Sequence, residues 1–379
     1  MKNKISAIGI GVLALLWAAI TALAWFGTPE DYSIAERRKL SQKPELSVQT
    51  LLAENELNKD GSIRKKLSFM TLFEDYSLDQ FPLRDKFRQI KALFHYNVMG
   101  QMDNNDIYIA DGYAVKMLYP LNETMLKGNL SIFDYIQTNY LAKNGCKSYM
   151  TVVPDKSFYL AEKTGHLSLD YDKLYATVAE KMPWATHIDL RDTLSITDYY
   201  DTDTHWRQEC ILPAAQKISE AMGVTAPQEA DFTKTKLERP FYGVYYGHAA
   251  LPMEPETMYY LQSDLLANCT VLDVQTNGKT PVYDLQMESS DDMYNIFLSG
   301  PKALQKIQNP NAPAKRELIV FRDSFGSSMI PLLVQDYSTV TVVDLRYLDY
   351  RMLDQFLSFR GSDVLFLYNT QVLNTTPLM

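Results

Sequence analysis

The stretch ELIVFRDSFGSSMIPLLVQDY, residues 317–337, carries a short apolar run through Arg322-Asp323-Ser324 into a helical pattern. A run of four to eight apolar, β-branched residues bounded by polar ones is the pattern of a strand buried on both faces. Four further runs follow the same rule: KSYMTVVPD (147–155), ATHIDL (185–190), TVTVVDL (339–345) and DVLFLYN (363–369). Helical periodicity fills the intervals, at 168–182, 207–222, 326–336 and 348–359. Alternation of this kind predicts an α/β protein, a parallel sheet with helices on both faces. Ligands of such sheets bind outside the carboxyl ends of the strands. Asp155, Asp323, Asp344 and Asn369 all stand at run ends, and so at that edge.

One segment interrupts the alternation. Residues 225–300 carry MYYLQSD, CTVLDVQTNGKTPVYDLQM and the Gly/Tyr-rich FYGVYYGHAALP, with Asn277-Gly278 as a hairpin signal. They read as an inserted β subdomain, a cap over the crevice. Upstream, residues 27–105 form a helical lead-in. SIAERRKLSQKPELS is extended, with Pro44 stopping any helix, and two helices interrupted at Pro82 follow within 67–100. The main α/β domain is then 106–379. Ahead of all this, Lys2 and Lys4 precede an uncharged apolar run from Ile5 to Phe26, with Trp25 near its end. Roughly 20 such residues cross a bilayer as a helix. Residues 1–26 are therefore expected to be a transmembrane anchor, N-terminus inside and main domain outside the cytoplasm. The rival is a secretory signal cleaved near Ala22-Leu23-Ala24, which would release the domain.

Composition narrows the function classes. Hydrophobic residues make up 46% and charged residues 22%, an ordinary globular mixture. The net charge of −9 and the lack of a long basic run argue against nucleic-acid binding. The three cysteines, Cys146, Cys210 and Cys269, form neither a disulfide framework nor a CxxC pattern, so no zinc site is expected. Asp201 and Asp203 are too few ligands for calcium. No cofactor is implied.

Two stretches carry chemistry-bearing residues. Ser324, at the strand-to-helix turn, stands at the crevice edge with backbone N–H groups beside it, a setting suited to a nucleophile and its oxyanion. The simpler reading is that Asp323 or Ser324 caps the helix. The second stretch is YYDTDTHWRQEC (199–210). A serine needs a neighbouring base, and the base needs a third group to orient it. In an extended loop Asp203 and His205 project to one side, so the carboxylate can orient the imidazole. Here the simpler reading is an Asp-rich turn, with Asp203 or Thr204 capping the 207–222 helix. Arg346 and Lys156, both at strand ends, are candidates for oxyanion or substrate contact, with a surface salt bridge and a structural role as their rivals.

DTDTHW, followed about a hundred residues later by IVFRDSFGSS, resembles the SGNH-hydrolase-like proteins of bacterial polysaccharide O-acetylation, the alginate acetylation proteins AlgX and AlgJ among them. It resembles more closely the DHHW protein family. AERRKLSQKPELS, FEDYSLDQFPLRDKF, VVPDKSFYL, YNIFLSGPKAL and VVDLRYLD extend the likeness over most of residues 33–374. Thr204 stands where the family's name has its first histidine. The resemblance implies an SGNH-like three-layer fold, with Ser324 as nucleophile, His205 as general base and Asp203 as its orienter. Trp206 matches the motif's tryptophan in a packing role. Gly300, Asn369 and the Ser324 backbone N–H are the oxyanion candidates, since the family's usual Gly and Asn have no secure match.

The implied activity is acetyl transfer to a glycan outside the membrane, with the acetyl group supplied by a membrane-bound O-acyltransferase partner. Two alternatives use the same surface: a carbohydrate esterase with water as acceptor, and a non-catalytic glycan-binding partner of the acyltransferase. The acidic net charge would repel an anionic polymer unless cations cluster locally.

Overall fold

The computed structural model describes residues 2–33, 35–51, 56–57, 63–64 and 68–379; for 2–8, 25, 49–50, 56–57 and 63–64 it describes the backbone alone. The chain divides into two compact units, Met1–Gln101 with Ala250–Pro252, and Met102–Ala249 with Met253–Met379.

The first unit begins with a helix, Lys2–Phe26. The expected membrane span includes residues 5–8, whose side chains lie outside the described residues. Among the described residues no helix is long and apolar enough to cross a membrane. Helices Phe69–Asp79 and Arg84–Leu93 flank Pro82 as the sequence predicts. They are tied to the preceding segment by Asp79, which accepts from Arg38 Nη1 and Nη2 (2.8 and 2.5 Å) and from the Ser41 N–H (2.8 Å). The hydrogen bond from Arg38 holds the Asp79 carboxyl down, to about 2.

The second unit is a mixed α/β fold around one large, mostly parallel sheet. Its strands in chain order are β1 (Lys147–Val153), β2 (Thr186–His187), β3 (Thr270–Asp273), β4 (Lys279–Thr280), β5 (Leu304–Gln308), β6 (Glu317–Arg322), β7 (Thr339–Val343) and β8 (Asp363–Asn369). In space they run β4-β3-β5-β7-β6-β8-β1-β2. β7, β6, β8, β1 and β2 run parallel to one another, whereas β5, antiparallel to β7, begins an antiparallel side completed by β3 and β4.

The near-continuous apolar runs have a plain cause. Side chains alternate across a strand, and both faces of this sheet are covered. Leu318 and Val320 of β6 and Leu365 and Leu367 of β8 enter one core layer. Ile319 and Phe321, with Val364, Phe366 and Tyr368, enter the other. Helix Leu212–Met222 buries Ala214, Ala215, Ile218 and Met222 in the first layer. Helix Glu123–Ile136 buries Leu126, Leu130, Phe133 and Ile136 in the second. There the Phe321, Phe366 and Phe133 rings pack at 4.9 Å centroid spacing.

Three expectations change. The 326–336 helix is only Phe325–Met329, continued by a tight 3₁₀ turn, Ile330–Leu333, at Pro331, whose missing N–H cannot continue the α-helical ladder. The 348–359 helix is a 3₁₀ segment, Tyr350–Gln355. The 225–300 insertion is not a separate β subdomain throughout. Its hairpin, β3 and β4, turns through left-handed Asn277 and joins the main sheet through β5. β5, LQKIQ, is not evident in the sequence because Gln305, Lys306 and Gln308 break its apolar positions. Only Thr233–Lys236 and Tyr259–Gln262 pair as a separate ribbon.

Candidate active site

β6 lies in the middle of the sheet, between β7 and β8, and ends at Arg322. Asp323 and Ser324 make the turn, and the helix starts at Phe325. The two capping candidates divide the work. Asp323 Oδ1 accepts from the Phe325 N–H at 2.9 Å, and its Oδ2 accepts from the Asn369 N–H at 2.6 Å, pinning the turn to the end of β8. Burial pushes the Asp323 carboxyl up, countered by the nearby Arg346 charge and these N–H groups. Ser324 makes no side-chain cap. It holds a half-buried position among buried neighbours.

The 199–206 loop is a narrow hairpin, closed by a Tyr199–Trp206 bridge and by the Tyr200 N–H donating to the His205 carbonyl (3.1 Å). It does not cap the following helix, which begins at Leu212 without a side-chain cap. Instead Asp203, fully buried, turns its carboxylate on His205. Asp203 Oδ1 accepts from His205 Nδ1 at 2.5 Å and from the His205 N–H at 3.0 Å; Oδ2 accepts from the Val244 N–H at 2.8 Å. An ionised carboxylate only accepts, so the imidazole proton sits on Nδ1 and the Nε2 lone pair is free. Nε2 lies 2.7 Å from Ser324 Oγ. Asp203, His205 and Ser324 thus form one continuous chain of hydrogen bonds.

The surroundings hold this chain still. The Tyr294 ring stacks on His205 at 3.8 Å and 9°, and Phe325 packs against it at 5.0 Å. Trp206 is fully buried; its Nε1 donates to Ser328 Oγ (2.9 Å), which also bonds the Tyr294 hydroxyl (2.7 Å). Trp206 therefore fastens the His205 loop to the helix that follows Ser324. Gln208 adds a second tie, donating to the Ser328 carbonyl at 2.8 Å.

A half-buried carboxylate and a buried amine clamp the loop backbone from opposite sides of its hydrogen bonding. Glu256 accepts from the Asp201 and Thr202 N–H groups and the Thr202 hydroxyl, each at 2.7 Å. Lys156 Nζ donates to the Tyr200 and Asp201 carbonyls, at 2.9 and 3.1 Å. Lys156 is a strut beneath the loop, not a substrate-facing lysine. Burial lowers its pKa to about 7, against the upward pull of Asp203, Glu256 and Asp201. Gly243 packs directly on the same loop: a Cβ there would lie 2.3 Å from Asp203 Cβ and from the Thr202 carbonyl oxygen.

Three other candidates have different employment. Gly300 adopts φ +78° and gives its N–H to the Phe297 carbonyl (3.2 Å), so it serves a turn rather than an oxyanion. Asn369 caps the last helix through Oδ1, accepting from the Gln371 N–H (2.8 Å), while its Nδ2 donates to the Val153 carbonyl (3.0 Å). Arg346 grips the fully buried Asp344 with two bonds, Nε at 2.9 Å and Nη2 at 2.6 Å. Among the described residues the Ser324 N–H has no acceptor, so it is the oxyanion candidate that remains available. Glu256, Gly243 and Ser328 were illegible in the sequence, since each acts through a contact distant along the chain. Tyr294 carried one signal, its place in YNIFLSGPKAL.

A mostly parallel α/β sheet with an Asp–His–Ser chain at the carboxyl end of its strands defines the class. The model of the family described as DHHW protein matches residues 168–343, which contain both the 199–206 loop and the Ser324 turn. The family resemblance read from the motifs is thereby found. A DHHW family protein from Eubacterium siraeum shares the fold at TM-score 0.58 and 20% identity, covering 72% of this chain and 93% of that one. Bacillus cereus PatB1 does so at TM-score 0.58 and 18% identity, covering 71% and 97%; it has also been solved with a sulfonyl adduct. The O-acetyltransferase domain of Pseudomonas putida AlgJ aligns more loosely, at TM-score 0.43 and 14% identity over 72% and 93%. No curated protein matches.

Two predictions follow from the loop's supports. Gly243→Ala forces the Thr202-Asp203 backbone aside and lowers stability by about 1–3 kcal/mol; urea unfolding with no loss would contradict the close packing. For Lys156, the folded pKa lies below the unfolded one, so the unfolded chain binds more protons between them. Stability therefore rises with pH from about 7 toward the ordinary lysine value. Urea midpoints of wild type and Lys156→Met should diverge in that sense over this window, and parallel curves would refute it.

Proposed function

We propose that this chain is an extracytoplasmic SGNH-type acyl transferase that moves acetyl groups onto a hydroxyl of a cell-surface or secreted polysaccharide. The observation that carries this reading is the Asp203–His205–Ser324 chain, with Nε2 at 2.7 Å from Oγ. The choice of acetyl and glycan rests on the motif resemblance to polysaccharide O-acetylation proteins.

In the first half-reaction, Ser324 Oγ attacks the acyl carbonyl carbon of the donor while His205 Nε2 takes the hydroxyl proton. The carbonyl π electrons move onto oxygen, and the resulting oxyanion is met by the Ser324 N–H. The intermediate collapses, the donor's leaving group departs with the proton from His205, and an acetyl ester of Ser324 remains. In the second half, a glycan hydroxyl gives its proton to Nε2 and attacks that ester. Ser324 Oγ leaves and recovers the proton. Asp203 keeps its proton-free form throughout, holding the Nδ1–H and stabilising the imidazolium. The acetyl donor would come from a membrane-bound O-acyltransferase partner. Water in place of the glycan would make the same site a carbohydrate esterase.

The test is intact mass of the protein after exposure to an acetyl ester, with and without added oligosaccharide. Wild type should carry one acetyl group, lost to the sugar when sugar is present. Ser324→Ala and His205→Ala should lower ester turnover by roughly a thousandfold or more. A serine-directed sulfonyl reagent should label Ser324 alone. Acetate release indifferent to sugar would favour the esterase. A folded wild type that neither acetylates nor takes the sulfonyl group, yet binds polymer, would leave the non-catalytic glycan-binding role.

The proposal includes location. Helix Lys2–Phe26 exposes apolar side chains on several sides, Ile10, Leu15 and Trp17 among them, which supports a single-pass anchor with the main domain outside. Protease added to intact cells should remove the domain, and a domain left untouched would place it in the cytoplasm. Recovery of the protein in the medium, lacking residues 1–24, would replace the anchor by a cleaved signal.

A further inference from the structure

Arg322 is the residue whose position the acyl-transfer chemistry does not yet use. It ends β6, two residues before Ser324, and is fully buried. Its stem lies under the start of the following helix, where a Cβ on Gly326 would come within 2.7 Å of Arg322 Cβ and 3.0 Å of Cγ. An arginine buried only to neutralise a carboxylate would be expected to grip it with two bonds. Arg322 does not. Its Nη1 is 3.5 Å from Asp344 Oδ2, and Asp344 is already held at 2.9 and 2.6 Å by Arg346. Its Nε and Nη2 have no acceptor among the described residues. The hydrogen bond it does make runs from Nη1 to the Asp323 carbonyl, at 3.3 Å.

That carbonyl belongs to the peptide group whose N–H is that of Ser324. The same oxygen also accepts from the Gly326 N–H at 3.1 Å. Donors on a peptide oxygen draw electron density toward it and make the N–H at the other end of the unit a stronger donor. The Ser324 N–H is the one left without an acceptor, and it lies beside the hydroxyl that meets His205. A full positive charge thus sits behind the peptide, with the free N–H in front.

We propose that Arg322 is a positioning residue that polarises the Asp323–Ser324 peptide and so strengthens the Ser324 N–H toward the acyl oxyanion. This rests on the acyl-transfer reading above. It assigns the charge a task for which Asp344 alone gives no reason. Burial lowers the guanidinium's pKa from its ordinary value, with Asp344 pulling it back up, and an arginine so placed stays cationic at neutral pH.

The test uses the full chain in detergent, labelled with ¹⁵N-serine, and an acetyl ester as substrate. In folded Arg322→Met, kcat should fall roughly tenfold or more while KM stays within about twofold. The midpoint of the pH–rate profile should not move, since the Asp203–His205 pair is intact. The Ser324 amide proton, identified by its loss in Ser324→Ala, should move upfield. Arg322→Lys should restore part of both. An unchanged kcat in folded Arg322→Met, or a loss of kcat with the amide resonance unmoved, overturns the proposal. If Arg322→Met does not fold, the amide shift of Arg322→Lys decides: displaced upfield it supports polarisation, unmoved it refutes it. If wild type never acetylates, the acyl-transfer reading is what fails, and the amide shift still reports on Arg322 separately.

Discussion

The contact between His205 Nε2 and Ser324 Oγ joins residues 119 positions apart. Neither side chain can reach the other unless two backbones are held to a few tenths of an ångström. On one side the holding is done by the sheet: β6 is flanked by parallel strands, and Asp323 ties its turn to the end of β8. On the other side there is no regular element at all. The 199–206 hairpin is fixed by side chains: Glu256 on its N–H groups, Lys156 on its carbonyls, Gly243 against its flank. Lys156 is buried and Glu256 half-buried, so these bonds are made where leaving them unmade is costly.

The same economy appears in the two aspartates. Asp203 and Asp323 each receive a backbone N–H on both carboxylate oxygens, and each leaves a neighbour's polar group free. Asp323 takes the capping duty that Ser324 would otherwise have, and so frees its hydroxyl. Asp203 fixes the Nδ1–H tautomer, and so frees the Nε2 lone pair. The proposed chemistry uses groups relieved of structural work by residues close to them in the chain.

Much of this was legible before any coordinate. Continuous apolar runs read as strands buried on both faces because the sheet really is covered by Phe133 and Ile136 on one side and Ala214 and Ile218 on the other. Asp203, His205 and Ser324 were legible as residue types at the ends of elements. The β5 strand was not, because Gln305, Lys306 and Gln308 break its apolar positions; nor could the sequence show that polar groups of Gly300, Asn369 and Arg346 are already engaged. Their bonds to Phe297, Val153 and Asp344 are facts of packing.

By itself the sequence determined the parallel strands, the two long helices Tyr171–Lys181 and Leu212–Met222 between them, and the chemical types placed at the strand ends, since each follows from periodicity over a few neighbours. The tertiary structure decided which polar groups stay free. Hydrogen-bonding capacity is finite, and partners such as Glu256, Tyr294 and Ser328 come from distant segments that only folding brings together. Arg322 marks the boundary. Its identity is local, at the end of an apolar run; its burial, its loose hold on Asp344 and its bond to the peptide of Ser324 exist only once β6, β7 and the following helix have packed.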